Sequence, residues 1–528
     1  MHKNISVMKE GWGSRIGIIL AVAGSAVGLG NFLRFPGKAA AYGGGTFMIP
    51  YLISLIILGI PICWVEWTLG RYGGVKGYNS SPGIFSVIWK HKAAKYFGAI
   101  GLLIPIIIYM YYAYIESWCL AYFYYYFTGA LDLGKDASLY GSFFENFVGI
   151  QKDGTVFTGG INDAAVFWAI AFFINFFLIY RGLSRGIEAF CKIAMPLLII
   201  CAVIILIRVL TLGTPNINYP EQNVLNGLGF MWNPKLAEGE SFLSSLSNPT
   251  MWLEAAGQIF FSLSVGFGIV LTYASYLRKN DDIVLNSLTA SSTNEFCEVC
   301  LGGLITIPAA FIFLGAAPIE KVAGSTLGLG FYTMPVVFAY MPFGDFFGGV
   351  WFLMLFLAAI TSSISMLQPV IAFFEEGFNL NRTASITFLG LLTGTGSLIV
   401  IYFSKDLIAL ETMDFWVGTA MIFILATFQV ILFGWIFGVD RGLAEAENGA
   451  ELRIPRFFPF IIKYVSPAYL ILIFIFWVKQ YVPGYISALK ENGVALLTII
   501  FMISIFIFLI ILVKIASSNW TGEKRGLN

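Results

Sequence analysis

Residues 23–31 read AGSAVGLGN and residues 261–268 read FSLSVGFG, and these two glycine-rich stretches decide the fold. Each lies inside an apolar segment of helical length and carries the pattern Val-Gly-x-Gly. Glycine at this density weakens a helix by about 1 kcal/mol per residue relative to alanine. Close packing between helices would account for either stretch alone. Two such stretches in one chain favour a pair of helices that are unwound in the middle.

The composition of the chain is that of a membrane protein. Of its 528 residues, 58% are hydrophobic and 12% are charged, whereas soluble domains carry about 25% charged residues. The net charge of +1 gives no basic field for nucleic acid. Only helices and closed barrels satisfy their backbone polar groups in lipid, and the short alternating strands of a barrel are absent. The sequence therefore predicts an all-α, polytopic protein in the lipid bilayer.

Apolar runs of about 20 residues predict twelve transmembrane helices. The predicted spans are 16–38, 44–70, 96–127, 164–180, 189–211, 252–276, 292–315, 346–374, 384–403, 415–437, 465–481 and 493–516. Most Lys and Arg residues then fall on the side of the N-terminus, which predicts that both termini are cytoplasmic at the cell inner membrane. We expect residues 1–440 to form a ten-helix core, and residues 441–528 to add two peripheral helices and a cytoplasmic tail.

The two glycine-rich stretches occupy matching positions, because spans 1 and 6 are the first helices of two sets of five. An odd number of spans per set inverts one set relative to the other, so the sequence predicts a five-plus-five inverted repeat. Interrupted helices at matching positions of such repeats indicate a ligand site at the membrane midplane. Unwound carbonyls suit a cation such as sodium, and exposed helix N-termini suit a carboxylate. An amino-acid zwitterion with Na⁺ fits both features.

Neutral polar side chains within the predicted spans offer further oxygen ligands. Asn31 and Asn294 are hard to explain in lipid without a role, whereas the hydroxyls of Thr361 and Ser362 could simply bond back to their own helix.

Three carboxylates lie within predicted spans, where an ionisable residue indicates function. We expect Glu66 to accept from unwound amides of span 6. Glu116 is either functional or only a structural partner, and the sequence leaves both open. Glu298 follows Asn294 by one helical turn.

Several longer motifs resemble those of one known family. Residues 26–36 read AVGLGNFLRFP, and the stretches 114–118 (YIESW), 273–276 (YASY), 361–363 (TSS) and 413–416 (MDFW) match as well. The chain resembles the neurotransmitter:sodium symporter family, most closely its bacterial leucine-transporting members. The resemblance runs from about Lys9 to beyond Tyr481, and its first motif is long and highly specific.

The resemblance implies two sodium sites and an amino-acid site. The first sodium site comprises the Ala26 carbonyl, the side chains of Asn31, Ser262 and Asn294, and the substrate carboxylate. The second comprises the carbonyls of Gly24, Val27 and Ala358 and the hydroxyls of Thr361 and Ser362. The substrate carboxylate meets the amides of Leu29 and Gly30 and the Tyr112 hydroxyl. The ammonium meets the carbonyls of Ala26, Phe261 and Ser262 and the Ser264 hydroxyl. The side-chain pocket comprises Ile108, Tyr112, Phe261, Phe267, Ser362 and Met366.

The resemblance also implies gates on both sides of the membrane. Arg34 and Asp414 form the outer gate with Phe267 as its lid, and Lys9 and Glu376 form the inner gate, where the family has Arg and Asp. Lys lacks the bidentate fork of Arg, so we expect an inner gate of altered strength. The alternative is that these four charges are ordinary interfacial residues, which contribute little.

Two positions narrow the substrate and ion requirements. Monoamine-transporting members of the family carry Asp where this chain has Gly28, which favours an amino-acid substrate. Chloride-dependent members carry Ser where this chain has Glu298, which we expect to lie beside Tyr51, Gln258 and Ser262. The sequence thus predicts chloride-independent symport of a small neutral or hydrophobic amino acid, with proton exchange as an open possibility. Members of the family also suggest a possible homodimer.

Other classes of function fit the sequence less well. An enzyme would need a nucleophile–base pair, a metal cluster or a phosphate loop, and none is evident. A channel would need a continuous polar pore. A membrane sensor that binds an amino acid without moving it remains an alternative. All six cysteines lie in apolar runs and are expected to be buried thiols, the Cys297-x-x-Cys300 pair included.

Overall fold

The structure is a computed structural model that describes residues 11–158, 160, 162–235 and 241–523. Its described residues are predominantly helical and contain no β-strand, only one isolated bridge between Gly44 and Pro234. Within these described residues, ten helices are long and apolar enough to cross a membrane. They are span 2 (Gly45–Val75), span 3 (Ala94–Thr128), span 4 (Asp163–Tyr180), span 5 (Leu183–Leu210), span 7 (Ile283–Leu314), span 8 (Gly344–Phe378), span 9 (Arg382–Tyr402), span 10 (Lys405–Ala446), span 11 (Phe458–Glu491) and span 12 (Gly493–Ser518).

Two further spans are broken, which brings the total to the predicted twelve. Span 1 consists of half 1a, Arg15–Ala26, and half 1b, Gly30–Ala41, with a bend of 51° between them. Span 6 consists of half 6a, Pro249–Leu263, and half 6b, Ile269–Ser275, and each half is too short to cross a membrane alone. The twelve-helix fold with unwound spans 1 and 6 is therefore confirmed.

Span 7 shows where the hydropathy pattern misplaced a boundary. We expected this helix to begin near residue 292, but it begins at Ile283. Its first turns carry polar residues that face the protein interior: Asn286, Ser287 and Ser291 are buried. The Asn286 side chain accepts a hydrogen bond from Arg15 Nε at 2.7 Å. Hydropathy alone does not identify a polar helical turn as part of a membrane span when that turn packs on protein instead of lipid.

The centre of the molecule lies around spans 3 and 8. The most apolar stretch of span 3 is completely buried, and that of span 8 is 83% buried. Span 12 is the opposite case, because only 28% of its most apolar stretch is buried within the chain. Its outward side chains are apolar, as expected of a helix that faces lipid.

The outer side of the molecule is covered by short helices. Ala137–Val148 and Gly328–Tyr340 pack together through Phe144 and Phe331, whose ring centroids are 5.1 Å apart. Further short helices on this side are Val224–Trp232, Phe242–Ser245 and Ala316–Val322, whereas Ser81–Ile88 connects spans 2 and 3 on the opposite side.

One cysteine departs from the expectation. Five of the six are buried free thiols, but Cys300 is exposed. Span 7 presents Phe296 and Cys300 on the same outward face, one turn apart, so an apolar context here reflects contact with lipid and not a buried core.

Candidate functional site

Span 1 stops being helical where the glycine-rich motif begins. Half 1a ends at Ala26, and Val27 takes an extended conformation with φ −72° and ψ 100°. The freed amide of Gly28 donates to Asn31 Oδ1 at 2.8 Å. A side chain from the next half thus satisfies part of the unwound backbone, which is required in a membrane interior.

Span 6 breaks through three left-handed residues. Ser264, Gly266 and Gly268 have φ values of 52°, 77° and 81°. The freed Gly266 amide donates to Glu66 Oε1 at 3.1 Å, and the same oxygen accepts from Gln429 Nε2 at 2.7 Å. The expected role of Glu66 as an acceptor for span 6 is confirmed.

The two unwound segments lie against each other. Ser264 Oγ donates to the Ser25 carbonyl at 2.9 Å, and Ser262 Oγ lies 3.5 Å from Asn31 Nδ2. A Cβ atom at Gly30 would come within 2.8 Å of the Phe261 ring. The chain therefore brings free carbonyls, amides and hydroxyls of both spans into one small volume at mid-helix depth.

A first cluster of oxygen atoms lies between spans 1, 6 and 7. Asn31 Nδ2 donates to Asn294 Oδ1 at 2.8 Å, and Asn294 Nδ2 donates to Ser262 Oγ at 2.6 Å. Glu298 joins this cluster through hydrogen bonds from Ser262 Oγ and from Gln258 Nε2, the latter at 2.8 Å. These side chains are all buried. The cluster contains the three side chains predicted for the first sodium site, and its amide and hydroxyl oxygens are hard donors that suit Na⁺.

A second cluster lies between spans 1 and 8. Ser362 Oγ is 3.4 Å from the Gly24 carbonyl and 3.1 Å from the Ala358 carbonyl. Thr361 Oγ1 bonds back to the carbonyls of Leu357 and Ala358 at 2.9 and 3.1 Å. The sequence left open whether the hydroxyls of Thr361 and Ser362 only bond back to their own helix. In the structure they bond to span 8 and also face span 1. The all-oxygen donor set again suits Na⁺.

The amino-acid positions predicted around Gly28 converge. A Cβ atom at Gly28 would lie 3.2 Å from both Ser362 Oγ and the Tyr112 hydroxyl. The Tyr112 hydroxyl also interacts with the backbone of Leu29. The remaining pocket residues Ile108, Phe267 and Met366 are buried, at 6% exposure or less, whereas Phe261 is half-buried.

A cavity of about 480 Å³ opens on the outer side of this region. Leu29, Gly30 and Tyr112 form part of its floor, and Phe261 lies there with the Arg34 guanidinium 5.1 Å from its ring centroid. We expected Phe267 to be the lid, and this expectation is wrong: Phe267 is 3% exposed and does not line the cavity. The left-handed residues Ser264 and Gly266 lie between Phe261 and Phe267 and direct the two side chains to different places. Phe261 is the phenylalanine that lies beneath Arg34.

The predicted outer gate residues lie on opposite walls of the cavity. No ion pair joins Arg34 to Asp414 in the described part of the chain. Arg34 Nη1 donates to Gln258 Oε1 at 3.0 Å and to the Gly257 carbonyl at 3.3 Å. Asp414 Oδ1 accepts from the Tyr111 hydroxyl at 2.7 Å. The expected pair is thus unformed, because each partner is held by its own wall while the cavity is open.

The predicted inner gate can be followed on one side only. Glu376 Oε2 accepts from the amides of Asn79 and Ser80 at 2.6 and 2.9 Å, so it anchors the connection after span 2. Lys9 lies outside the described residues, and the pairing of Lys9 with Glu376 stays a prediction.

Two buried side chains, Glu116 and Tyr51, have hydrogen-bond partners that the sequence did not indicate. Both oxygens of Glu116 accept from Asn175 Nδ2 at 2.9 and 3.0 Å, and Asn175 Oδ1 accepts from Ser363. Glu116 therefore joins spans 3, 4 and 8, which matches the structural alternative. Tyr51 lies beside Glu298, as expected, and its hydroxyl also donates to Glu295 at 2.6 Å.

Comparisons with known proteins agree with this geometry. The model of the sodium:neurotransmitter symporter family matches residues 9–140 and 134–519. An uncharacterised sodium-dependent transporter of Methanocaldococcus jannaschii is 29% identical over 466 residues, which cover 87% of this chain and 88% of the relative. The sodium-dependent serotonin transporter of Drosophila melanogaster is 28% identical and covers 90% and 77%. The crystal structure of MhsT in complex with L-phenylalanine matches with a TM-score of 0.73 at 27% identity, over 88% of this chain and 99% of that chain.

Proposed function

The chain belongs to the sodium:neurotransmitter symporter family, and from that premise we propose that it is a sodium-coupled symporter of a small neutral or hydrophobic amino acid that works by alternating access. The observation that carries the proposal is the meeting of two unwound membrane helices beneath an open outer cavity, with an oxygen cluster on either side. Broken helices of this kind supply carbonyls for cations and amides for anions at the same depth.

Sodium and substrate are linked in this proposal because they share a contact. The first cation lies among Asn31, Ser262 and Asn294 with the Ala26 carbonyl, and the substrate carboxylate completes its coordination. The second cation lies among Gly24, Val27, Ala358, Thr361 and Ser362. Binding of the first cation then raises the affinity for the substrate, and binding of the substrate raises the affinity for that cation by the same factor.

The nature of the substrate follows from Gly28 and from the apolar pocket. A substrate that brings its own carboxylate needs no acidic side chain at position 28. The similar protein MhsT was crystallised with L-phenylalanine. This supports the proposal that the present chain also takes an amino acid as its substrate. Ile108 and Met366 shape the pocket, and exchanges in an apolar pocket change selectivity by about 1–3 kcal/mol.

Chloride independence rests on Glu298 in this proposal. Its buried carboxylate accepts from Gln258 at 2.8 Å and from Asn31 at 3.1 Å, next to the first cluster. A fixed negative charge there balances sodium, so no chloride ion is needed.

Alternating access requires the open outer cavity to close while the inner side opens. Closure brings Arg34 away from Gln258 and towards Asp414, and Lys9 with Glu376 closes the inner side in turn. We place the chain in the cell inner membrane with both termini cytoplasmic, and we assign the transport core to residues 1–440 and the last two helices to residues 441–528. A homodimer through these last helices is part of the proposal.

Equilibrium binding tests the proposed site. We expect at least one labelled neutral amino acid to bind the purified protein in sodium and not in potassium. Gly28→Ala should weaken this binding about tenfold or more, because its Cβ lies 3.2 Å from Tyr112 and Ser362 and overpacking costs about 1–3 kcal/mol. Gly324→Ala is the matched control, since it lines the outer cavity and a Cβ there meets nothing within 4 Å. Unchanged binding in Gly28→Ala would move the substrate elsewhere.

A sensor that binds without transport is the second candidate. The same binding result would satisfy it, so only movement of the amino acid across a membrane separates the two.

A further inference from the structure

One face of span 11 carries three aromatic side chains at intervals of four residues: Trp477, Tyr481 and Tyr485. Residues four apart on a helix lie above one another, so they form a single stripe, which we name the span 11 aromatic face. The sequence suggested only a peripheral helix here. The stripe points towards the outer cavity, and Tyr485 lines that cavity.

Two members of the span 11 aromatic face are attached to span 10. Tyr485 stacks on Phe415, with ring centroids 3.4 Å apart and planes 12° from parallel. Trp477 packs on the same ring, with 4.7 Å between centroids. Phe415 follows Asp414 directly, so this attachment is to the acidic wall of the cavity.

The middle member is attached to the opposite wall. The Tyr481 hydroxyl donates to Glu254 Oε1 at 2.9 Å, and Glu254 Oε2 pairs with Lys38 Nζ at 2.9 Å. Glu254 belongs to half 6a and Lys38 to half 1b, one turn beyond Arg34. A second contact reinforces the attachment, because Gln480 Nε2 donates to Thr250 Oγ1 at 3.1 Å.

The pair of Lys38 and Glu254 is more than a surface ion pair. The two side chains are only 17% and 13% exposed, so solvent weakens their attraction less than at an open surface. Tyr42 lies beside them, with its ring centroid 5.7 Å from Lys38 Nζ. Burial and the charge of Glu254 raise the pKa of Tyr42 to about 12, so its hydroxyl stays neutral and adds no charge at physiological pH.

The position of Lys38 gives the pair a consequence for the cavity. Lys38 lines the same cavity as Arg34, and the opposite wall presents Glu411 and Asp414. Opposite charges attract across such a space. Glu254 therefore keeps Lys38 on its own wall, and the Tyr481 hydroxyl fixes the carboxylate that does so.

From these contacts we infer that span 11 is a strut that sets the width of the outer cavity, and that Tyr481 is the positioning residue that holds the Glu254–Lys38 pair on the open side. The strut joins both walls through one helical turn. The walls cannot approach each other unless Tyr481 leaves Glu254 or Tyr485 leaves Phe415. This inference rests on the proposed alternating access, because it concerns how the cavity closes.

The accessibility of a cysteine in the cavity tests the strut. Thr419→Cys places a thiol on the span 10 wall, and a membrane-impermeant methanethiosulfonate reports how open the cavity is, in sodium without amino acid. Tyr481→Phe keeps the ring and removes the hydroxyl. We expect it to slow labelling about tenfold, the effect of losing one hydrogen bond to a charged group. Glu254→Gln should slow labelling as well, because Lys38 loses its counter-charge.

Tyr469→Phe is the matched control. It removes a hydroxyl from the same helix, where Tyr469 contacts Ser54 at 3.2 Å away from the cavity, and labelling should stay at the wild-type rate. Wild-type labelling rates in both Tyr481→Phe and Glu254→Gln, in protein that elutes as a folded species, would overturn the strut. Labelling needs no substrate, so that failure would leave sodium-dependent binding, and with it the proposed function, intact.

Discussion

Glu298 is the single residue that most affects the charge balance of the site. It is fully buried and accepts hydrogen bonds from Gln258, Asn31 and Ser262. A buried charge is stable only with such partners. Its neighbours are also the ligands of the first cation in our proposal, so a change of charge at this position acts directly on sodium.

Replacement of Glu298 by serine should make transport depend on chloride. The variant loses the fixed negative charge and gains room for an anion beside Ser262 and Gln258. We expect wild-type uptake to be equal in chloride and gluconate, and uptake by Glu298→Ser to fall about tenfold or more when chloride is replaced. Glu116→Gln controls for loss of a buried carboxylate elsewhere, and its uptake should be indifferent to chloride. Wild-type uptake that disappears in gluconate would contradict the role of Glu298.

Some residue contacts could be predicted from sequence and others could not. The partnership of Glu66 with span 6 followed from its charge and from the unwound motif. The additional hydrogen bond of Tyr51 to Glu295 did not, because Glu295 belongs to no motif that the sequence singled out. Asn175 was missed for a simpler reason, since one amide in an apolar helix has no motif around it.

At the scale of elements, the breaks in spans 1 and 6 were predictable from their glycines, but their geometry was not. Ser264 adopts φ 52°, which serine seldom does, and its hydroxyl bonds to the Ser25 carbonyl of span 1. Contact with span 1 thus fixes the backbone conformation of Ser264, and such a tertiary contact cannot be predicted from the local sequence. The same effect explains why Phe261 and not Phe267 faces the outer cavity.

Gly268→Ala should destabilise the break in span 6. Gly268 has φ 81°, and an added Cβ would lie 2.5 Å from the Gly101 carbonyl oxygen of span 3. Backbone strain and the clash together should cost about 1–3 kcal/mol or more. We expect a thermal unfolding temperature several degrees lower in detergent. Gly484→Ala, at a helical position with nothing within 4 Å, should unfold at or above the wild-type temperature. Equal unfolding temperatures for Gly268→Ala and the wild type would show that span 6 adopts another conformation.

At the scale of the whole molecule, the hydropathy of the chain determines the number of spans and hence the fold. Hydropathy does not determine the relative tilt and position of the spans, so the open outer cavity and the separation of Arg34 from Asp414 could not be predicted. The division after residue 440 stays a prediction, and it falls inside the helix of span 10, which runs to Ala446. Span 11 shows why composition alone misleads here: its outward face is apolar, while Tyr481 and Tyr485 reach both walls of the cavity.

The most direct test of the central claim is the accumulation of labelled amino acids in proteoliposomes that contain the purified protein. Our account predicts uptake against the amino-acid gradient when sodium is directed inwards, and none when potassium replaces sodium. The accumulated species identifies the substrate. Sodium-dependent binding without accumulation, in protein that is folded and correctly inserted, would contradict symport and favour a sensor.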